Sequence, residues 1–252
     1  MNAGLHLLKS KLKTAFERTF GVTVYRTMPR GVDPLHDLAL LVPDWSPVTI
    51  FDVGANIGQS AMEYAKRFPS ARISSFEPAA GTFRQLERNV KAFPNVRCFQ
   101  VALAAESGDA LLTQNDRSDL NRIVRHAPGD LPAAGCERVV KRTLDAFCEE
   151  LRVPRIHYLK IDTEGADLDV LRGAERMLGD QQVDVIEVEV GIGLDNDRHV
   201  TLQPMRQHLE ARGYRVFGFY EQVNEWTRKL PHLRRVNVVF ISGRLDQPPT
   251  RA

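Results

Sequence analysis

The sequence has no long hydrophobic run, few cysteines and almost no net charge. No apolar stretch approaches the ~18 residues that a membrane-spanning helix needs. The apolar residues at the N-terminus are too few, and on the wrong side of the lysines, for a secretory signal. Three cysteines, none of them in a CxxC pair, indicate neither a metal cage nor a disulfide framework. We therefore expect a reduced, cytoplasmic protein.

The charge is balanced overall but uneven along the chain. With 34 basic and 32 acidic residues the formal net charge is +2, which argues against a general nucleic-acid-binding protein. The first 30 residues nevertheless carry +5, and apolar residues from Leu5 to Phe20 repeat there at helical spacing. We expect an N-terminal helical extension over residues 1–47 whose first helix packs on the domain. The alternative for this helix is peripheral attachment to a membrane surface or a partner.

From about residue 48 short apolar strands alternate with helical segments. Strands are predicted over residues 48–55, 71–78, 96–103, 155–165, 183–191, 214–220 and 235–242. The last two have no helix between them and form a hairpin, whereas the alternation before them predicts βαβ units and a doubly wound, mostly parallel sheet. The domain then spans residues 48–242, with a polar, irregular stretch over 113–141 and a flexible tail over 243–252.

The carboxyl ends of the first two strands carry the first functional signal, because ligands of such sheets bind there. The first strand runs into a turn containing Asp52, Gly54, Asn56 and Gly58. This turn lacks the GxGxxG of dinucleotide-binding folds, and its acid disfavours a pyrophosphate but tolerates a cation. Glu77, which ends the second strand, can accept hydrogen bonds from both hydroxyls of a ribose; a surface glutamate at a helix start is the alternative. Together these residues predict S-adenosylmethionine as the ligand.

Ionisable residues also collect at the ends of the fourth and fifth strands. Lys160, Asp162 and Glu164 lie at the end of the fourth strand, and Glu187 and Glu189 at the end of the fifth. Such groups are unfavourable at the end of a buried strand unless they are paired or functional. An ion pair between Lys160 and a carboxylate is therefore an alternative to catalysis, and the two are compatible.

Several phrases, in this order, resemble the FkbM family of S-adenosylmethionine-dependent methyltransferases. They are FDVGANIGQ (51–59), SFEP (75–78), VALAAESG (101–108), TLDAF (143–147), LKIDTEGADLDVLRGA (159–174) and the closing NVVFIS (237–242). The resemblance covers roughly residues 48–190. It implies the α/β, Rossmann-like class I methyltransferase fold, with a mostly parallel seven-stranded sheet whose last strand is antiparallel. It also implies O-methylation, most often of a sugar or secondary-metabolite hydroxyl.

The resemblance also implies roles for individual residues. The methionine part of the cofactor is lined by Asp52, Gly54, Asn56 and Gly58, with Ala55 in the same turn; the ribose is held by Glu77, which Pro78 follows; Val101 and Ala102 lie beside the adenine. Asp162 and Glu164 lie near the transferred methyl group. One departure is visible, because the family's usual glutamate after the EGA tripeptide is Asp167 here.

Methyl transfer to a hydroxyl needs a general base. The candidates are Asp162, Glu164 and Glu189, with His199 ranked below them because a lone histidine is more often structural. The three acids could also bind Mg²⁺, but nothing in their spacing specifies a metal and none is predicted. The acceptor pocket is expected from residues 113–141, 191–200 and 221–235, the last with Trp226 among basic residues.

The sequence thus predicts an O-methyltransferase that acts by direct displacement on a hydroxyl of a sugar, glycan or secondary metabolite. Its expected partner is this small-molecule or glycan acceptor. A methyltransferase for RNA or protein is the first alternative; the charge balance and the lack of an NPPY-like tetrapeptide argue against nucleic acid. A non-catalytic adenosyl-binding module is the second. A nicotinamide oxidoreductase ranks last.

Overall fold

A computed structural model of the chain describes residues 16–23, 25, 27–113, 123–124, 135–193, 196, 198–225 and 229–245. The predicted N-terminal helix lies mostly outside these residues, as do Trp226 and most of the predicted tail. Phe16 and Phe20, in a helical turn at its end, pack on each other and are 49% and 64% exposed. At these two positions the apolar face is therefore not buried on the domain. No helix in the described ranges is both long enough and apolar enough to cross a bilayer.

The helices and strands follow the predicted alternation. The helices are α1 (Pro34–Leu41), α2 (Gln59–Arg67), α3 (Ala80–Val90), α4 (Leu144–Glu150), α5 (Asp167–Arg172), α6 (Glu175–Gly179) and α7 (Leu202–Glu210). The strands are β1 (Thr49–Val53), β2 (Arg72–Phe76), β3 (Val96–Phe99), β4 (Ala102–Leu103), β5 (Gly108–Thr113), β6 (Ile123–Val124), β7 (Cys136–Arg142), β8 (Ile156–Ile161), β9 (Val183–Gly191), β10 (Arg215–Asn224) and β11 (Leu233–Ile241).

The main sheet has seven strands in the order β10-β11-β9-β8-β1-β2-β3. The five strands from β9 to β3 pair in parallel, and β11 is antiparallel to both of its neighbours. This confirms the Rossmann-like class I arrangement, including the antiparallel last strand. The chain runs from β1 outward to β3 and then returns to β8 on the other side, so the strand order reverses between β1 and β8. A ligand crevice is expected at that switch point.

The interior of the sheet is apolar on both faces, as a covered parallel sheet requires. Phe51 and Val53 of β1 pack in one core cluster with α4 to α7, whereas Ile50 packs in the other with α1 to α3. At the start of α4, the Thr143 hydroxyl accepts a hydrogen bond from the amide of Ala146 at 3.1 Å. Thr143 is thus the N-cap of α4.

A second, four-stranded sheet in the order β4-β7-β5-β6 differs from the expectation for residues 113–141. Part of that stretch forms β6 and β7, and the rest of it, apart from Thr113 and Gly135, lies outside the described residues. Along β7, Val139 is buried while its neighbour Val140 is exposed. A strand with one apolar face, surrounded by charged residues, gives a weak period-two signal, which is why the sequence pattern suggested a loop.

Candidate active site

A cavity of about 720 Å³ opens at the carboxyl ends of β1, β2, β8 and β9. Its volume is typical of small-molecule sites, which enclose about 300–1,000 Å³. The described residues that line it include all three predicted catalytic acids and seven of the nine predicted cofactor contacts: Asp162, Glu164, Glu189, Gly54, Ala55, Asn56, Glu77, Pro78, Val101 and Ala102. The sheet topology thus brings together residues that lie up to 135 positions apart in the chain, from Gly54 to Glu189.

The turn after β1 shapes one wall of the cavity. Gly54 has a φ of 82°, and a Cβ at this position would lie 1.9 Å from the carbonyl oxygen of Asp162. Only glycine allows this backbone shape and this close approach together. The amides of Gly54 and Ala55 both donate to the carbonyl of Phe76, at 3.0 and 2.9 Å. The turn is therefore fixed between the ends of β2 and β8.

Glu77 stands at the end of β2 with its carboxylate held by two backbone amides. One oxygen accepts from the amide of Asn56 at 3.1 Å and the other from the amide of Ala79 at 2.9 Å. Burial raises the pKa of Glu77 to about 7, although both amides act in the opposite direction. A carboxylate has about four acceptor sites, so the ionised group retains capacity for two further donors in the cavity.

The wall beside Glu77 is apolar. Phe76 ends β2, Val101 to Leu103 follow β3, and Leu112 comes from the second sheet. Phe76 also packs in an aromatic cluster with Phe99 and Phe147, with ring centroids 5.4 and 4.8 Å away. A flat, uncharged ring fits this part of the cavity, whereas a phosphate does not.

Two predicted cofactor contacts, Asp52 and Gly58, are not part of the cavity wall. Strand alternation explains the position of Asp52, which shares a face of β1 with Ile50 rather than with Val53. Its side chain is buried toward α2, and burial raises its pKa to about 6. For Gly58, a Cβ would meet Leu86 at 2.8 Å, so this glycine permits helix packing. The direct contacts predicted for these two residues stay predictions.

The ion pair between Lys160 and a carboxylate, which the sequence offered as an alternative to catalysis, is present in the structure. The Lys160 ammonium lies 2.8 Å from Asp162. Burial would lower the pKa of Lys160, but the carboxylates of Asp162, Asp52 and Glu187 outweigh it and raise that pKa. Burial likewise opposes ionisation of Asp162, but Lys160 lowers the pKa of this carboxyl. Both residues line the cavity, so the ion pair lies within the site.

Glu164, Glu189 and His199 meet at the end of the cavity away from Phe76. His199 Nε2 lies 2.6 Å from Glu189 Oε2 and 3.7 Å from Glu164 Oε2. Arg235 pairs with the other oxygen of Glu189, and Arg198 lies 3.0 Å from Glu164. Burial raises the pKa of Glu164 to about 6, against the effect of Arg198.

This cluster could also hold a metal ion, because one ligand atom from each of its three residues falls within 4.8 Å of the others. It differs from the three acids that the sequence offered as Mg²⁺ ligands, since His199 takes the place of Asp162. Each acid already has an arginine partner, which reduces the charge available to a cation. The expectation of no metal therefore stays a prediction.

Asp167 fixes the loop that carries Asp162 and Glu164. Its buried carboxylate accepts from the amides of Thr163 and Gly165, at 3.3 and 3.2 Å. Burial raises the pKa of Asp167 to about 6. The aspartate is thus long enough to order the loop between β8 and α5.

Some lining residues were missed by the sequence reasoning as individuals. Arg198 and Glu221 come from two of the segments expected to form the acceptor pocket, and Gln59 and Ser60 begin α2. Arg234 and Arg235, which also line the cavity, are among the basic residues expected beside Trp226. Glu221 adopts a φ of 46° in an irregular part of the pairing between β10 and β11. Irregularities of this kind re-aim side chains, but a single sequence gives no clear signal for them.

The Methyltransferase FkbM domain matches residues 52–216, which is more than half of the chain. The chain belongs to the FkbM methyltransferase family. Its cofactor is S-adenosyl-L-methionine, as the sequence predicted, and its activity is that of a methyltransferase.

Three relatives illustrate this FkbM membership. Methyltransferase 1 of Beauveria bassiana is 31% identical over 204 residues, which cover 73% of this chain and 78% of that protein. The hexuronic acid methyltransferase AglP of Haloferax volcanii is 29% identical, over 58% of this chain and 57% of its own. The 2-O-methyltransferase NoeI of Sinorhizobium fredii is 27% identical, over 51% and 58%. The chain thus spans less than two thirds of the last two.

Proposed function

We propose that this FkbM-family protein methylates a hydroxyl oxygen of a sugar, a glycan or a secondary metabolite. The observation that carries the proposal is a single cavity with two different ends. One end has an apolar wall and Glu77; the other has the cluster of Glu164, Glu189 and His199. The names of AglP and NoeI, a hexuronic acid methyltransferase and a 2-O-methyltransferase, support a sugar hydroxyl as the acceptor.

The first end fits the adenosyl part of the cofactor. Glu77 retains acceptor capacity for the two ribose hydroxyls, and the apolar residues Val101 and Ala102 suit the adenine. S-adenosylmethionine supplies an activated methyl group on a positively charged sulfur. Acidic residues at the second end, Asp162 among them, favour that positive charge.

The second end must hold the acceptor hydroxyl in line with the methyl group and remove its proton. Positioning of this kind contributes up to about 7–11 kcal/mol to lowering a barrier, and a general base contributes roughly 10²–10⁴-fold in rate. Asp162, Glu164, Glu189 and His199 are the candidate bases. Asp162 is the least suited of the acids, because Lys160 lowers its pKa and a weakly basic carboxylate is a poor proton acceptor.

A methyl-labelled cofactor tests the proposal. The protein is incubated with labelled S-adenosylmethionine and, separately, with glycan, small-molecule, RNA and protein fractions of a host extract. We expect label in the glycan or small-molecule fraction, in a methyl ether that resists alkaline hydrolysis. Label in RNA or protein would contradict the proposed acceptor. Tight binding of the cofactor, measured by calorimetry, with no labelled product would support a non-catalytic module instead.

A further inference from the structure

Asn196 lies behind the wall of the cavity and carries no assigned role. Its side chain is buried in the loop after β9. The amide nitrogen donates to the carbonyl of Arg234 at 3.0 Å, while the amide oxygen accepts from the backbone amides of Arg198 at 3.1 Å and His199 at 3.3 Å. Because one backbone acceptor and two backbone donors surround the group, its oxygen and nitrogen cannot exchange places without loss of three hydrogen bonds.

The oxygen of Asn196 determines which nitrogen of His199 carries a proton. His199 Nδ1 lies 3.0 Å from this oxygen, and an amide oxygen is only an acceptor. Nδ1 must therefore be protonated, and Nε2 is the nitrogen that faces the acids. Nε2 and Glu189 Oε2 are 2.6 Å apart, which is a hydrogen-bond distance for two atoms that share a proton. At this distance a proton lies between the two atoms, so the arrangement seen here is that of the pair after it has taken up one proton.

Three described acids near His199 are each paired with a cation. Arg235 contacts Glu189, Arg198 contacts Glu164, and Lys160 contacts Asp162. Among the described residues, these charged groups lie near His199 on β8 and the loop after it, on β9, on β11 and on its own loop. The nearest groups to Nε2 are the two glutamates, so positive charge placed on the imidazole is stabilised, whereas each acid already has a positive neighbour.

We infer that His199 is the proton acceptor of the reaction and that Asn196 is a positioning residue, which holds His199 with Nδ1 protonated and Nε2 toward the cavity. This inference rests on the proposed function. Before the step, no proton lies between Nε2 and Glu189 Oε2. The acceptor O–H bond breaks and its proton passes to Nε2, while the oxygen electron pair forms the bond to the methyl carbon. The bond between methyl and sulfur breaks, and its electron pair stays on the sulfur. Glu189 stabilises the imidazolium that results.

Nitrogen NMR on histidine-labelled protein tests the positioning role without any turnover. The two ring nitrogens of a neutral imidazole have different shifts when one is protonated. At alkaline pH we expect His199 to be protonated at Nδ1 in the wild type and to change toward protonation at Nε2 in Asn196→Leu. Asn196→Asp retains an acceptor for Nδ1 and should restore the wild-type pattern. His199→Gln identifies the signals, and His157→Gln, near the opposite end of β8, is the matched control.

Kinetics test the same residues with the acceptor that the labelling experiment identifies. We expect Asn196→Leu and His199→Gln to lower kcat by roughly 10²-fold or more with unchanged affinity for S-adenosylmethionine, and Asn196→Asp to recover most of kcat. In both low-activity variants the rate should keep rising with pH, because hydroxide replaces the missing base. Thermal unfolding checks that each variant folds, and the NMR comparison with Asn196→Asp remains valid if Asn196→Leu does not.

Three results would overturn the inference. The first is a tautomer of His199 that does not change in a folded Asn196→Leu variant. The second is a fall in kcat, with a rate that keeps rising with pH, in Glu164→Gln but not in His199→Gln. The third is activity abolished by EDTA and restored by Mg²⁺, which would make the cluster a metal site. Failure of the proposed function is distinct, since the wild type would then show no methyl transfer whatever the state of His199.

Discussion

Replacement of Glu77 gives the sharpest test of the cofactor site. In the wild type both carboxylate oxygens are oriented by backbone amides, from Asn56 and Ala79. The remaining lone pairs are directed to two ribose hydroxyls in our proposal. Glu77→Ala removes both contacts, and Glu77→Gln keeps the shape but replaces one acceptor oxygen with a donor.

The expected loss follows from the hydrogen bonds removed. A hydrogen bond to a charged group is worth about 1.5–3 kcal/mol, so two of them contribute about 3–6 kcal/mol. At about 1.4 kcal/mol for each tenfold change, Glu77→Ala should weaken binding of S-adenosylmethionine by about 10²–10⁴-fold. Glu77→Gln removes one of the two acceptors and should weaken it by about 10–10²-fold.

Calorimetric titration with S-adenosylmethionine and with S-adenosylhomocysteine measures both losses. Glu137→Gln is the matched control, because Glu137 accepts from the amide of Ala80 at 3.0 Å near Glu77 but does not line the cavity. Its affinity should stay close to that of the wild type. An affinity of Glu77→Ala equal to that of Glu137→Gln would refute the role of Glu77 in holding the ribose.

Three further predictions concern protons and loop order. Because burial raises the pKa of Glu77 to about 7, affinity for S-adenosylmethionine should fall by up to about tenfold per pH unit below that value, and Glu77→Gln should flatten this dependence in calorimetry. Asp167→Ala should lower the free energy of unfolding by about 1–3 kcal/mol for each amide left without an acceptor, those of Thr163 and Gly165, whereas Asp167→Asn retains one acceptor and loses less. Burial raises the pKa of Asp52 from 3.8 to about 6, so the folded state binds more protons between these values, and the free energy of unfolding should fall as pH rises through this window. Asp52→Asn should reduce that slope in urea denaturation.

Opposite results would each contradict one argument. An affinity independent of pH in the wild type would mean that Glu77 stays ionised or makes no contact. Equal stabilities of the two Asp167 variants would show that the loop amides do not depend on its carboxylate. An unchanged slope in Asp52→Asn would assign the proton uptake to another buried acid.

The residues that sequence reasoning placed correctly owe their positions to the sheet itself. In a parallel sheet the carboxyl ends of all strands lie at one edge, so Glu77, Asp162 and Glu189 converge there whatever the loops do. Gly54 was equally predictable, because a tight turn after a buried strand requires a positive φ. Asp52, whose contact with the cofactor stays a prediction, is buried and does not line the cavity. Alternation placed it opposite Val53, but the sequence did not say which face of β1 meets the ligand.

The contacts of Asn196 could not be predicted from a single sequence. Its partners are the backbone groups of Arg234, Arg198 and His199, and backbone groups leave no mark on residue type. Its importance arises only when the loop after β9 meets β11. The ranking of His199 below the acids took no account of this environment, since the arginines that pair with the acids come from the same distant segments.

The charges around the cavity suit a reaction in which positive charge moves but is not lost. Formally, five carboxylates (Glu77, Asp162, Glu164, Glu189 and Glu221) and four cations (Lys160, Arg198, Arg234 and Arg235) line its described wall. Transfer of the methyl group removes the charge of the sulfur and leaves one proton, which the proposal places on His199. The excess acid that attracts the cofactor therefore also stabilises that proton, so the charge the cavity must balance is the same before and after the step. Fixed charges that need no rearrangement are the ones that lower a barrier most.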